Sequence, residues 1–349
     1  MRKAAVSLVA TLVLVSVPAH GRGENAHKWE SYIQLRYTDS QDRRERLSIR
    51  RLKLYGSGPI AGDWTYFAQL LYKTGNLSPT DNRIYLQEAN LLHRRRNGTL
   101  TIGQFKPPFG MERFTSDATL ALIDRSQPTD RLIPNGNLGE SFARDLGIQW
   151  EGSLGKEVVL AAGVFGGNGA NRPFHGNGPL LVAKLAGSTG QGSNPRIRAE
   201  VAASWRRDEN IDFSQQVGGS LIGYGNFSGA DMRWNAGIGL DGRDDAFRSE
   251  YFLVRYDSDR EVIPDATATG FYIQWAHSFS RRWAAAIRYE DVDPNNAVRD
   301  AKDITWITLG VTRFIDSHRE KIQANYVWKS EEAGDLDNDA FLVQYQRFF

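Results

Sequence analysis

Phe341-Leu342-Val343-Gln344-Tyr345-Gln346-Arg347-Phe348-Phe349 closes the chain. It is an aromatic-rich alternating stretch with Phe as its last residue, and it reads as the closing strand of a bacterial outer-membrane barrel. The other end complements it. Met1-Arg2-Lys3 precedes an apolar run from Ala4 to Val17 and the small-residue stretch Pro18-Ala19-His20-Gly21. A positive start, a short apolar core and small residues after it form a secretory signal. Residues 1–21 are therefore expected to be removed, leaving 22–349 as one barrel domain. The two ends together predict export and insertion into the bacterial outer membrane with no helix to do the inserting.

Composition agrees. No other stretch approaches the roughly 18 consecutive apolar residues of a spanning helix. Mean hydropathy is −0.46, which suits a barrel because lipid-facing and lumen-facing residues alternate. Aromatics make up 11%, with 9 Trp, and Gly numbers 34, as aromatic girdles and tight turns require. Cysteine is absent, which removes disulfide and thiol chemistry. The formal charge is +2, and Arg2 and Lys3 leave with the signal. Nucleic-acid binding has no compositional support. Any ion preference must come from where charges sit.

Period-2 segments recur from Trp29 onward. They predict strands near 29–38, 45–56, 63–73, 83–93, 98–105, 145–153, 157–165 and 179–187. Further strands follow near 195–206, 229–236, 246–256, 268–278, 282–291, 303–314, 320–329 and 340–349. This is an all-β, 16-stranded antiparallel transmembrane β-barrel, an even number as both termini on the periplasmic side require. Val217–Tyr224 has strand character too and is assigned to a loop on parity. Connections alternate in length. Arg95–Gly98, Ser153–Lys156, Ser278–Arg281 and Ile315–His318 are short. Gly166–Pro179, Arg207–Ser228, Asp257–Thr267, Val292–Lys302 and Ser330–Asp339 are longer and polar, and Lys106–Arg144 is much longer.

Faces separate cleanly. Ile197, Val201, Ala203 and Trp205 oppose Arg198, Glu200, Ser204 and Arg206; Trp283, Ala285, Ile287 and Tyr289 oppose Arg288 and Glu290. A lipid-facing Arg near the midplane costs about 2–4 kcal/mol, so the charged sets face the lumen. A soluble β-sandwich also alternates, but it explains neither the regular hairpins nor the terminal Phe.

Gly103-Gln-Phe-Lys-Pro-Pro-Phe-Gly-Met-Glu-Arg-Phe-Thr-Ser116 resembles the signature of the phosphate-selective porin O and P family. Its setting is similar as well: Arg50-Arg51-Leu-Lys-Leu-Tyr-Gly56, Trp64-Thr-Tyr-Phe-Ala-Gln69 and Tyr85-Leu-Gln-Glu-Ala-Asn90 precede it. Gly229-Ala-Asp231 and Ser249-Glu-Tyr251 follow. The resemblance implies a homotrimer of 16-stranded barrels that passes anions through an arginine-lined pore. On its own physics, Lys106-Pro107-Pro108-Phe109-Gly110 ends a strand, because proline donates nothing to the ladder. The charged loop after it cannot touch lipid. It lies either outside as a lid or inside the lumen, and the resemblance favours the lumen.

Phosphate recognition needs cationic donors in a narrow place, and the planar Arg fork suits it. Arg50 and Arg51 match the family's adjacent arginine pair near the constriction. Consecutive strand residues face opposite ways, so both reach the lumen only at a bulge or twist. Arg36, Lys106 and Arg113 complete the candidate anion-binding set. Arg198-x-Glu200, Arg248-x-Glu250 and Arg288-x-Glu290 repeat on the lumen wall. Residues i and i+2 lie about 6.5–7 Å apart on one face, so each Arg is expected beside its own carboxylate. Catalysis lacks support: the six His include one tempting neighbour, His277-Ser278, whose side chains oppose each other, and no Gly-x-Ser-x-Gly or His-Glu-x-x-His occurs. No cofactor or metal is expected. The expected partners are small anions such as phosphate or polyphosphate, the lipid bilayer and lipopolysaccharide. A general small-solute porin with weak anion bias is the alternative.

Overall fold

The computed structural model describes residues 27–41, 43–74, 83–135, 143–172, 178–189, 192, 194–211, 227–334 and 336–349. Its first eight strands are β1 (Lys28–Ser40), β2 (Arg43–Pro59), β3 (Trp64–Tyr72), β4 (Tyr85–Arg95), β5 (Gly98–Phe105), β6 (Asp145–Ser153), β7 (Val158–Phe165) and β8 (Leu180–Ser188). The other eight are β9 (Arg196–Ile211), β10 (Phe227–Asp241), β11 (Asp245–Ser258), β12 (Ala266–Ser278), β13 (Trp283–Asp293), β14 (Ile304–Asp316), β15 (Glu320–Glu331) and β16 (Ala340–Phe348). Each strand pairs with its chain neighbours, and β1 pairs antiparallel with β16 to close the barrel. Closure leaves no edge, so the backbone groups of every strand are paired without water.

The interior is inverted relative to a soluble protein. Val201 is 54% exposed on the outside, whereas its neighbour Glu200 is 8% exposed on the inside. Trp29, Trp275, Trp283 and Phe279 ring one rim, and Trp328 and Phe341 lie on the outer face toward the other. The sixteen strands stand where the alternation placed them. β9 and β10 run further than expected, to Ile211 and from Phe227, into both ends of the segment read as a loop at 207–228. The pattern understates these strands because their ends project beyond the bilayer, where the outward face no longer needs apolar residues. Val217–Tyr224 and the signal at 1–21 lie outside the described residues.

Between β5 and β6 the chain enters the barrel. A 3-10 turn at Glu112–Phe114 and a short helix α1 (Gln127–Leu132) are its only regular elements among the described residues. α1 packs against β11, β12 and β13. Phe109, Leu132 and Ile133 join inward-facing Phe252, Val254, Ala268 and Val292 in a hydrophobic core inside the lumen. Each large side chain so buried contributes about 1.5–3 kcal/mol. Strand glycines make the seats. A Cβ at Gly270 would come within 2.9 Å of Leu132, and one at Gly310 would collide with Leu122. Met111 lies over Gly237 and Gly239, at 3.4 and 3.3 Å from where a Cβ would stand.

Gly310→Val should therefore leave the barrel intact but unseat Leu122, with an overpacking penalty of about 1–3 kcal/mol. Limited proteolysis within 109–133 should speed up in folded, detergent-solubilised protein. Cleavage at the wild-type rate would show that Gly310 is not a seat.

Candidate functional site

The inward segment starts as the prolines dictate. β5 ends at Phe105, and Pro107 and Pro108 then lead to Gly110, whose φ of +80° turns the chain into the lumen. Beyond it, Ser126 caps α1 by accepting from Thr129 N–H at 3.3 Å, and Pro128 occupies the first turn.

Two wall carboxylates hold the loop backbone. Glu250 accepts from Met111 N–H (2.6 Å) and Glu112 N–H (2.7 Å), and also from Tyr272 Oη (2.9 Å) and Asn235 Nδ2 (3.1 Å). Glu290 accepts from Gln127 N–H at 2.6 Å. Arginines grip loop carbonyls: Arg288 donates to Asp124 O (2.9 Å) and Arg125 O (3.2 Å), and Arg233 donates to Ile133 O (2.6 Å). On the far side Lys321 donates to Leu120 O and Gln346 to Ala118 O, both at 3.2 Å.

This overturns the expected pairing along the Arg-x-Glu repeats. Only Arg288 and Glu290 meet, at 3.2 Å. Arg198 and Arg248 both pair with Asp241, Arg198 at 2.5 Å. Gly239 lies between these two arginines in register and has no side chain, so both reach along β10 to the next lumen-facing residue. Glu200 takes Lys184 at 3.8 Å, and Glu250 is given over to the loop.

On the opposite wall, β1 and β2 present Arg36, Arg50, Arg51 and Lys53 to the loop's own carboxylates. The β1/β2 register moves from Gln34↔Arg51 to Leu35↔Ile49, which leaves Arg50 as the extra residue of a bulge. The bulge turns Arg50 and Arg51 to the same side. Arg51 Nε lies 3.5 Å from Asp117, and its Nη1 donates to Gln34 at 3.0 Å. Lys53 and Arg125 also pair with Asp117. Arg36 forms a two-bonded fork with Asp124 (2.9 and 2.8 Å), and Arg50 reaches the same carboxylate at 3.3 Å. Burial alone would raise both loop carboxylates, but the cations outweigh it. Arg125, Lys53 and Arg51 hold Asp117 well below the usual range, and Arg36 and Arg50 do the same for Asp124.

Arg36, Arg50 and Arg51 are thus brought together. Lys106 and Arg113 are placed apart from them, toward Arg144. Lys106 Nζ donates to Arg113 O (3.1 Å) and stands 5.7 Å from the Phe114 ring, while Arg113 donates to Ala143 O at 3.0 Å and is buried. Arg144 in turn bonds Glu88 at 3.0 Å.

Reasoning from sequence missed Lys53, which shares a face with Arg51 two residues away, and Lys73. The β2/β3 register ends at Leu52↔Tyr72, so Lys73 continues the ladder beside Arg51. Thr74 fixes it there, donating its N–H to Ile49 O at 2.9 Å. Burial pushes the Lys73 ammonium down to about 7, and Arg50 and Arg51 add to the effect while Asp130 and Asp124 oppose it. Among the described residues Lys73 has no hydrogen bond or ion pair.

The model of the family described as phosphate-selective porin O and P matches residues 28–344. No curated relative matches the chain. Among solved structures, the anion-selective porin from Comamonas acidovorans is similar with a TM-score of 0.68 at 11% identity, covering 93% of this chain and 100% of that one. OmpT of Vibrio cholerae, in its trimer form, gives 0.64 at 11% identity over 93% and 99%. The channel DcaP of Acinetobacter baumannii gives 0.63 at 11% identity over 93% and 97%. At these identities the likeness is one of fold.

A Lys73 that titrates near neutrality carries charge below about pH 7 and loses it above. The reversal potential in a KCl gradient should therefore show stronger anion preference at pH 6 than at pH 8. Lys73→Met should flatten that dependence, and a variant with the full wild-type dependence would remove Lys73 as its source.

Proposed function

The chain belongs to the phosphate-selective porin O and P family of outer-membrane porins, and on that premise we propose that its lumen passes small anions, phosphate and polyphosphate among them, through a basic constriction. It is a passive channel in the bacterial outer membrane, not an enzyme. The observation that carries the anion reading is the bulge that turns Arg50 and Arg51 to one side, next to Arg36 and across from the inward loop. The loop packs on β11–β13 and reaches across to β15, β16 and β1, where its Asp117 and Asp124 meet these guanidiniums, and on this reading they line the narrowing. There, N–H donors replace part of an anion's hydration shell. The ion must also leave, and Asp117 and Asp124 temper the positive field so that it does. The protein works as a homotrimer, in keeping with the family.

The second reading, a general small-solute porin with weak anion bias, draws on the ion pairing of the other lumen cations: Arg198 and Arg248 are offset by Asp241, and Arg288 by Glu290. The two readings diverge in the Arg50→Ala/Arg51→Ala double variant. On the anion reading the reversal potential in a salt gradient shifts toward cations, and by more than in Arg198→Ala, whose charge Asp241 already offsets. An arginine on an outer loop should matter still less, since screening sets in beyond about 10 Å at 0.1 M salt. An unchanged potential in the double variant would favour the second reading.

A further inference from the structure

Asp117 and Asp124 both face the arginine wall, but they differ in access. The Asp117 side chain is 10% exposed, enclosed by Arg51, Lys53 and Arg125. That of Asp124 is 31% exposed, open to the lumen, while it engages Arg36 and Arg50. Its backbone does not depend on those bonds, because Arg288 holds the Asp124 carbonyl from the opposite wall at 2.9 Å. Rotation about its own side-chain bonds would move the carboxylate off Arg36 and Arg50 without breaking the bond that Arg288 makes to the loop backbone.

We propose that Asp124 is a tethered counter-ion: its carboxylate occupies the guanidinium forks that a permeating oxyanion would take, and each passing ion displaces it. This inference rests on the anion-channel reading above and deepens it by naming the residue that sets which anions are admitted. A carboxylate presents two oxygens to Arg36 in the geometry that phosphate also presents. A tethered competitor acts at an effective concentration in the millimolar range or above, so it weakens net binding without removing the site. Chloride, a single sphere of one charge, replaces a two-bonded carboxylate less well than an oxyanion with several oxygens does. A multivalent oxyanion can bridge Arg36 and Arg50 at once. The competition therefore favours multivalent oxyanions over halides, and the returning carboxylate releases the ion.

The test is block of chloride current by inorganic phosphate in planar bilayers. Asp124→Asn keeps the shape and removes the charge. The half-blocking phosphate concentration should fall by about fivefold, the factor expected for losing one partly solvated charge competitor. Phosphate should also leave more slowly, seen as longer blocked intervals. Asp124→Glu, which keeps the charge, should stay near wild type. Asp117→Asn, which opens an enclosed cluster, should raise current noise without tightening block. Unchanged or weaker block in Asp124→Asn would overturn the proposal, as would failure of both Asp124→Asn and Asp124→Ser to form open channels, which would make the carboxylate a brace. Failure of the anion-channel reading shows separately, as a wild-type reversal potential without anion preference.

Discussion

Inside a bilayer every backbone N–H and C=O must find its partner within the protein, and a sheet meets that demand only by closing. β1 against β16 completes the ring, from Tyr32↔Phe348 to Ser40↔Ala340. The rest of the architecture follows. A closed sheet with lipid outside must send its charged residues inward, so the lumen acquires Arg, Lys, Glu and Asp from most of its strands. A proline-broken segment rich in charge has nowhere to go at this depth except into that lumen. Its own backbone groups must then be satisfied there. Glu250, Glu290, Arg233 and Arg288 satisfy them from the wall.

The lumen divides as a result. On one side the loop is seated on glycines, packed against Phe252 and Val254, and held by carboxylates. On the other, Arg36, Arg50 and Arg51 face the loop's own Asp117 and Asp124. The same charges serve structure and selectivity, and this has consequences for mutation. Removing one member of an enclosed group such as Asp117 strands the others without compensation, a change that typically costs about 3–5 kcal/mol for a buried pair. The more open Asp124 keeps two bonds to Arg36 and one to Arg50, but its greater exposure screens those charges more. Burial thus separates an enclosed loop carboxylate, Asp117, from a more accessible one, Asp124, to which the exchange proposal applies.

Strand count, order and facing were legible because polarity reports directly on lipid versus lumen: Ile197 and Val201 against Arg198 and Glu200 leave little choice. The paired arginines were half legible. Period-2 logic sends Arg50 and Arg51 to opposite faces, and nothing in the two residues marks the bulge that reverses this. The Arg-x-Glu repeats misled because strand spacing describes neighbours on one strand, whereas the partners of Arg198 and Arg248 come from Asp241 on the strand between them. Lys73 needed the β2/β3 register. The hydrophobic core inside the lumen was hidden for a deeper reason: Phe252 and Val254 look like lipid-facing residues until the loop that covers them is in place.

The central claim is that the segment after the two prolines, clamped to the wall, sets the width and the charge preference of the pore. Single-channel conductance and reversal potential of a variant lacking Phe109–Ile133, with far-UV circular dichroism to show an intact barrel, test it most directly. The account predicts a larger conductance and a weaker anion preference, because without the narrowing most ions pass out of reach of Arg36, Arg50 and Arg51. A folded barrel with wild-type conductance would contradict it.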